Sequence, residues 1–597
     1  MGNIIVLGGV LVTVVTGVPV FLQLRSHPRG LTVLFFAEMW ERFSYYGMRA
    51  ILIFYLTEHF LFDDQFAQGQ YAAYTTLVYL LPLVGGFVAD RWLGSRKAIA
   101  FGALLLVAGH FTMAFEGPAA TETLSYQGHT YAYRLDGRMQ DRTVCLNVGT
   151  GCYAVGAAPD GGLAIKGLPA TAPLPSALPK GSYADARGRS QPFIDVLYLA
   201  LALIIMGVGF LKANISSIVG QLYPQGDPRR DPGFTLYYYG INLGAFWAAI
   251  LCGLVGQSVS WGAGFGLAGV GMLAGYLVFI FNKPRLEGHG EPPDPAKLAR
   301  PVLGPIRLEW AIYLAGLAGV AGVWWMVQQF ALMGWLLLLG WIAALAYIGF
   351  EMTRVGKVAR ERLVLAILLV FGSIVFFALA EQAGTSLNQF AERNTALPSQ
   401  GLWAISPAET QSFNSGYILL FVPPLAWLWA KLGERGRDPD PLLKFGLGLI
   451  QIGVGFWVLT WSASSADANF RTPLFFLAFS YLLQTTGELF LSPVGLSEMT
   501  KLAPARMIST LMAIWFLGAS AAQYLAGLIA RFTATDTVGG QVLDPGKALA
   551  TYAHVFLIIG ALGCVAGVVF LVLSPWLKRL AHGADDTGPK AQVEPAA

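Results

Sequence analysis

Long apolar stretches recur along almost the whole chain, and short polar segments separate them. A helix needs roughly 20 apolar residues to cross a bilayer core of about 30 Å. The pattern therefore predicts an all-α polytopic membrane protein. The predicted helices lie near residues 3–23, 31–56, 71–90, 98–115, 194–219, 234–256, 261–281, 307–328, 334–352, 362–382, 411–431, 442–462, 472–492, 507–531 and 550–574.

The spacing of these helices suggests two halves of six spans each. The segment 307–352 stands apart as a helical hairpin inserted between the halves. The first stretch is predicted to be an extra helix, with a misassigned start codon as the alternative, and it lacks the basic start of a signal peptide. The expected organisation is an extra N-terminal helix at 1–30, an N-terminal six-helix bundle at 31–281, a cytoplasmic linker with the hairpin at 282–361, a C-terminal six-helix bundle at 362–575 and a tail at 576–597.

Successive short loops along the chain alternate between a high and a low content of Lys and Arg. The loops near 91–97 and 354–362 are rich in them, whereas the loop at 57–70 has none. The positive-inside rule assigns the rich loops to the cytoplasm. We therefore expect a plasma-membrane protein of the bacterial inner-membrane type, with a cytoplasmic C-terminus and with the long segment 116–193 outside.

The segment at about 116–193 is rich in Gly, Pro, Ala and Tyr and has few aliphatic runs. This composition predicts an irregular or small β-rich external insert. Cys145 and Cys152 are a disulfide candidate if the insert faces an oxidising compartment. The insert either captures substrate or is a passive elaboration of the surface, and the sequence favours the second reading.

Composition narrows the class of protein further. Only 12% of the residues are charged, about half the share of an average soluble domain, which argues against a soluble enzyme. The formal net charge of +4 gives no basic excess for a nucleic-acid partner. A phosphate-binding loop, a zinc-protease motif and metal-ligand histidine spacing are all missing from the sequence. We expect no catalytic residues, no metal and no cofactor; Cys252 and Cys564 lie in apolar runs and are assigned to packing.

One predicted helix carries an unusual polar stripe. Charged residues inside a membrane cost several kcal/mol unless they face a cavity or a partner. A helix that is polar on one face only lines water or a binding cavity, although a cluster that merely holds helices together is the alternative. The stripe follows helical spacing through Glu38, Glu41, Arg42, Tyr45, Tyr46 and Arg49.

Other ionisable residues stand alone in apolar runs. Lys212 and Glu488 lie on distant predicted helices, where opposite charges could neutralise each other across a cavity. Glu381 and Gln382 end a further span, and Glu381 could pair with Arg49 near the external mouth. Breaking and forming such pairs is a way to couple proton binding to a conformational change.

Four segments resemble the proton-dependent oligopeptide transporter family of the major facilitator superfamily. Residues 38–47 are similar to its ExxERFxYYG motif, and 86–97 to the superfamily's loop between helices 2 and 3. Residues 234–244 are similar to the FYxxINxG signature, and 487–493 to the motif of helix 10. The resemblance covers roughly residues 31–575, and the hairpin matches the extra helix pair of bacterial members.

The resemblance implies proton-driven import of di- and tripeptides by alternating access of two bundles. Arg42 and Lys212 would bind the peptide carboxylate, and Asn242, Asn414 and Glu488 its amino group. The remaining substrate-binding candidates are Tyr45, Tyr46, Tyr79, Tyr238, Gln382 and Trp515.

Proton coupling is expected, from the same resemblance, to involve Glu38, Glu41 and Arg42, with Glu488 sensitive to both proton and substrate through Lys212. Arg49 and Glu381 would form the external gate. The second core helix, 71–90, has no histidine, so this chain departs from the animal pattern and coupling must rest on carboxylates. We expect the protein to function as a monomer in the lipid bilayer.

Two alternatives remain open from the sequence. A member of the same family could carry another small solute, such as nitrate, an amino acid or a peptide-like drug. A membrane enzyme or a channel would need a catalytic constellation or a selectivity ring, and the sequence shows neither.

Overall fold

The computed structural model describes residues 4–224, 227–398, 401–435, 439–504 and 507–582. Residues 1–3 of the predicted first helix and residues 583–597 of the predicted tail lie outside these ranges. The described residues contain 14 helices that are long and apolar enough to cross a membrane.

Helices of the first part of the chain follow the predicted apolar stretches closely. They are α1 (Ile4–Leu24), α2 (Arg29–Phe54), α3 (Asp64–Val88), α4 (Ser95–Met113), α5 (Gln191–Gln221), α6 (Arg230–Ser258), α7 (Trp261–Phe281), the short α8 (Pro295–Leu298), α9 (Leu308–Val327) and α10 (Phe330–Met352). Single π turns extend α2 and α3, at Tyr55–His59 and Ala89–Leu93.

Helices of the second part are α11 (Lys357–Ala380), α12 (Ser386–Asn394), α13 (Ser412–Glu434), α14 (Pro441–Ser462), α15 (Leu474–Leu502), α16 (Ile508–Arg531) and α17 (Pro545–Ala581). Short 3₁₀ turns lie at Met139–Asp141, Lys283–Leu286, Glu381–Gly384, Gly401–Trp403, Pro407–Gln411 and Ala463–Ser465.

Three helices extend beyond their predicted apolar stretches. Helix α3 begins at Asp64 rather than near residue 71, α15 continues to Leu502, and α17 runs to Ala581. The added turns are more polar, so the apolar window missed them. Their backbone hydrogen bonds are satisfied within the helix whatever the side chains are.

The insert between α4 and α5 folds into a seven-stranded antiparallel sheet with strand order β6-β5-β4-β3-β2-β1-β7. Of the two forms predicted for the insert, irregular or small and β-rich, the structure shows the second. Its strands are β1 (Thr121–Tyr126), β2 (His129–Asp136), β3 (Thr143–Val148), β4 (Gly151–Ala157), β5 (Leu163–Ile165), β6 (Ala177–Leu178) and β7 (Ala184–Gly188).

Alternate residues of β3 explain the core of this sheet. Val144, Leu146 and Val148 are buried, as period-two alternation requires. Cys145, on the opposite face, is bonded to Cys152 in β4 by a disulfide. The candidate pair of cysteines is thus joined in the structure.

Short strand pairs lie outside this sheet. They are β8 (Pro301–Leu303) with β9 (Ile306–Arg307), β10 (Thr395–Ala396) with β11 (Thr472–Pro473), and β12 (Thr537–Val538) with β13 (Gln541–Val542). The β12–β13 hairpin connects α16 to α17.

Two large apolar clusters form the interior, one built mainly from α2–α7 and one mainly from α11–α17. Helix α2 packs on α6 and α7, while α14 packs on α15 and α17. The α9–α10 hairpin contacts α3, α5, α11 and α16 from outside, and α1 lies against α6 and α13. We call the helices of the two clusters the first and second bundle.

Close helix approach positions the polar residues of the first bundle. A Cβ at Gly244 of α6 would overlap the carbonyl oxygen of Met39 in α2, and a Cβ at Gly85 of α3 would overlap that of Gly209 in α5. Glycine lets backbones approach closely in membrane helices. The polar stripe of α2 is thereby held against α6.

Candidate functional site

The polar stripe of α2 forms a charge cluster within one helix. Arg42 Nε donates to Glu38 Oε1 at 2.8 Å and lies 3.1 Å from Glu41 Oε2. Glu38 and Glu41 are 1% exposed and Arg42 is 7% exposed. Spacings of one residue and of four residues therefore bring two carboxylates to one guanidinium, as the sequence predicted for a shared helical face.

Two carboxylates share a single cation in this cluster. Glu38 Oε2 and Glu41 Oε1 accept no hydrogen bond from any described residue. A buried carboxylate oxygen without a donor has lost its hydration without gaining a hydrogen bond in return. The cluster thus holds two carboxylates and one guanidinium, with an oxygen of each carboxylate left without a donor in the described part of the chain.

Lys212 of α5 lies beside this cluster and not in contact with Glu488. Its Nζ is 3.4 Å from the centroid of the Tyr79 ring, a cation–π contact. Within the described part of the chain no carboxylate lies within 4.0 Å of Lys212. The sequence placed Lys212 and Glu488 as opposite charges across a cavity; the structure shows them making separate contacts.

A cavity of about 100 Å³ lies between the two bundles. Asn414 Nδ2 donates to Glu488 Oε2 at 3.2 Å and to Thr485 Oγ1 at 3.0 Å on its second-bundle wall. The cavity lining includes five predicted residues, Tyr46, Arg49, Glu381, Asn414 and Glu488. The cation of Arg49 thus lies on the first-bundle wall, and the carboxylates of Glu381 and Glu488 lie on the second-bundle wall.

Arg49 and Glu381 pair across the two bundles. The Arg49 guanidinium forms an ion pair with Glu381 Oε2, and its Nε donates to the Tyr71 hydroxyl at 2.6 Å. The guanidinium carbon is also 5.9 Å from the Tyr46 ring centroid. The structure thus joins the two residues that were assigned to a gate, and it adds Tyr71, which the sequence reasoning missed.

A second ion pair crosses between the bundles nearer the sheet. Arg393 of α12 donates to Asp64 of α3 through both terminal nitrogens, at 2.6 and 2.9 Å. The Thr535 amide also donates to Asp64, at 3.0 Å. Neighbouring Gln68 donates to Gln389 at 2.7 Å. Sequence reasoning missed this layer because polar residues at helix ends carry no signal for their distant partner.

Gln382 lies beside Glu381 at the end of α11, as the sequence predicted, but its side chain is hydrogen-bonded within the protein. Its Nε2 donates to the carbonyls of Ala378 and Ala526, at 3.1 and 3.0 Å, and its Oε1 accepts from Ser386 at 2.6 Å. The side chain is fully buried and does not line the cavity. Its hydrogen-bonding groups are used by the protein, so the structure assigns it to packing α11 against α16.

The remaining predicted substrate-binding residues lie in the helices around the cavity. Tyr45 is 1% exposed and packs edge-on against Tyr46, with ring centroids 5.2 Å apart. Asn242 donates to the carbonyl of Tyr238 one turn earlier, at 3.0 Å. Trp515 of α16 packs at the margin of the second apolar cluster. Tyr46 lines the cavity, whereas Tyr45, Tyr238, Asn242 and Trp515 do not line it in this structure.

Further polar residues of the second bundle do line the cavity. Tyr481, Gln484 and Glu488 follow helical spacing along α15, and Gln411 precedes Asn414 by three residues. Extending the face of Glu488 and Asn414 by one or two turns would have found them. No group of three or more His, Cys, Asp or Glu side chains suited to a metal ion occurs among the described residues.

Comparisons with known proteins cover almost the whole chain. The sequence model of the POT family matches residues 96–544. The Di-/tripeptide transporter of Lactococcus lactis subsp. cremoris is 31% identical over 574 residues, covering 93% of this chain and 97% of that protein. The Uncharacterized transporter YclF of Bacillus subtilis is 31% identical over 572 residues, covering 94% and 96%. A crystal structure of a peptide transporter in complex with alafosfalin matches with a TM-score of 0.68 and 32% identity, covering 93% and 96%.

Proposed function

Because this chain belongs to the POT family, we propose that it is a proton-coupled symporter that imports di- and tripeptides by alternating access. It is an integral membrane protein with the major facilitator fold. The named relatives include di- and tripeptide transporters. The observation that carries the proposal is a cavity between two bundles with Arg49 on one wall and Glu381 and Glu488 on the other.

Opposite charges on two walls suit a zwitterion. In our proposal the peptide amino group binds to Glu488 and Asn414 of the second bundle, which line the cavity. The peptide carboxylate binds to Arg42 and Lys212 of the first bundle, which do not line the cavity in this structure and become accessible when the bundles move. Charge-assisted hydrogen bonds are the stronger ones and fix orientation. Aromatic walls such as Tyr46 and Tyr481 contact variable side chains without reading them, so little discrimination among peptides follows.

The α2 cluster supplies the proton site. Glu38 and Glu41 compete for Arg42, so protonation of one carboxyl lets the guanidinium turn toward the other carboxyl or toward a peptide. Because all three residues lie on one helix, the cluster moves with the first bundle as a unit. Proton and peptide are thereby coupled through Arg42, without a cofactor.

The Arg49–Glu381 pair serves as the gate at the sheet end of the bundles. Separation of the bundles there breaks the pair and opens the cavity. By the positive-inside rule the Lys- and Arg-rich loops at the other end face the cytoplasm, so the sheet is external. A proton gradient that is acidic outside would then load the α2 cluster from the sheet side.

Uptake of labelled dialanine by proteoliposomes with an acidic exterior tests this proposal. We expect accumulation that stops when a protonophore collapses the gradient. Parallel vesicles receive nitrate and a free amino acid. Transport of one of those solutes without dialanine would refute the peptide assignment, and dialanine accumulation that ignores the protonophore would refute the coupling.

A further inference from the structure

The seven-stranded sheet contacts both bundles. It is continuous with α4 and α5, and Arg189 beside β7 donates to the carbonyls of Phe60 and Leu61, both at 2.7 Å. Ala120 donates to the carbonyl of His59 at 2.8 Å. These contacts fasten the sheet to the first bundle.

A separate set of contacts reaches the second bundle. Gln140 Nε2 donates to the carbonyls of Thr395 and Glu392, at 2.8 and 2.9 Å, at the end of α12. Arg142 Nε donates to the carbonyl of Gly539 at 2.8 Å, in the β12–β13 hairpin. Arg142 Nη1 also lies 3.3 Å from Glu58 Oε2 of the first bundle. This side chain therefore bridges the first bundle and the β12–β13 hairpin.

The hairpin is also held by burial. Val538 is 3% exposed and belongs to the apolar core of the sheet. Gly539, with a φ of 59°, donates to buried Glu122, and a Cβ there would overlap Leu135. A residue with a side chain would be strained and obstructed at this point. The β12–β13 hairpin is therefore packed and hydrogen-bonded against the sheet in the way that a strand of the sheet is.

Arg187 completes the connection. It forms ion pairs with Asp63 of the first bundle and with Glu122 of the sheet, and it donates to the carbonyl of Thr537 in the hairpin at 3.3 Å. We call the contacts of Glu122, Gln140, Arg142 and Arg187 with residues 391–395 and 537–542 the sheet–hairpin contact.

We propose that the sheet is an outer gate of the transporter, because the sheet–hairpin contact holds the second bundle only while this end of the molecule is closed. The inference rests on the proposed alternating access. The sheet moves with the first bundle, to which it is tied at both ends, so separation of the bundles must break its bonds to the second. Contacts present in one state alone shift the equilibrium toward that state.

Spin-label distances across this end of the molecule test the proposal without relying on transport. Labels are placed at exposed Gln65→Cys at the start of α3 and Ala468→Cys between α14 and α15, in a background of Cys252→Ala and Cys564→Ala. The disulfide of the sheet is kept by omitting reductant. The protein is reconstituted in lipid nanodiscs, and the long-distance population measures the opened state.

Gln140→Ala removes bonds to the second bundle only and leaves the charges intact. The loss of hydrogen bonds of this kind shifts an equilibrium roughly two- to tenfold, so we expect the long-distance population to rise by that factor. Gln140→Leu keeps the size of the side chain but removes its hydrogen-bond donor, and it should raise the long-distance population by the same factor as Gln140→Ala. The control Gln127→Ala, in the exposed β1–β2 turn of the same sheet, should leave the population unchanged.

Arg49→Ala separates failure of this inference from failure of the proposed function. If Arg49→Ala raises the long-distance population while both Gln140 variants leave it unchanged, the sheet is no gate and the transport proposal stands. If none of the three changes the population, the bundles do not separate as alternating access requires, and both proposals fall.

Discussion

The charge cluster of α2 and the contacts between the bundles use the same residue types in different ways. Arg42 meets Glu38 and Glu41 on its own helix, whereas Arg49 meets Glu381 from the other bundle, 332 positions along the chain. A pair within one helix survives any rigid motion of that helix. A pair between bundles lasts only while the bundles stay together.

This difference separates two tasks. In the proposed transport cycle the α2 cluster would keep its internal ion pairs throughout, because Glu38, Glu41 and Arg42 move together on one helix. In the same proposed cycle the Arg49–Glu381 pair would form only while the sheet end is closed, because opening that end separates the two residues.

Glu41→Gln should reduce proton-driven dialanine accumulation at least about 100-fold, because an amide cannot take up a proton as a carboxylate does. Exchange of dialanine across the membrane without a gradient should stay measurable, since peptide contacts are separate. Glu291→Gln, at a half-exposed side chain in the loop after α7, is the control and should behave as unmodified protein. Equal loss of accumulation and exchange would show that Glu41 is structural.

Arg49→Ala should lower uptake roughly 30-fold, because removing one member of a buried ion pair leaves the other charge unpaired and destabilises the closed state. Initial rates in proteoliposomes measure the loss. Exchanging the charges, Arg49→Glu with Glu381→Arg, should recover part of the rate. A double variant no better than either single variant would mean that the pair does not act as a gate.

Lys212→Ala should raise the KM for dialanine about tenfold, since a hydrogen bond to a charged group contributes about 1.5–3 kcal/mol. The maximal rate should change less, because the α2 cluster is intact. Lys297→Ala, at an exposed position within α8, is the matched control. An unchanged KM across a full concentration series would rule out carboxylate binding by Lys212.

Gln484→Ala should have the smallest effect, about a threefold rise in KM. Gln484 lines the cavity, but its amide already donates to Ser480 at 2.9 Å, so a peptide gains at most one neutral hydrogen bond. Gln382→Ala is the informative comparison, because that side chain is bonded within the protein. We expect it to lower thermal stability while leaving the KM of the folded fraction unchanged; the reverse outcome would return Gln382 to the binding site.

Local patterns predicted most of the fold. Hydropathy located every long helix, and helical spacing placed Glu38, Arg42 and Arg49 on one face of α2. The same spacing applied around Glu488 would also have found Gln484. The polar first turns of α3 escaped because they are stabilised by contacts such as Asp64 with Arg393 rather than by lipid.

The sequence by itself determined which segments are long and apolar enough to cross the membrane and which family the chain resembles, because each of these depends on periodicity or on short motifs. Composition left the insert as either irregular or β-rich. Only the tertiary structure decided that Lys212 lies on Tyr79, that Gln382 is bonded within the protein, and that the sheet contacts the β12–β13 hairpin. These outcomes depend on the packing of helices hundreds of residues apart. No local pattern in one sequence records such packing, because many partners satisfy the same charge or hydrogen bond equally well.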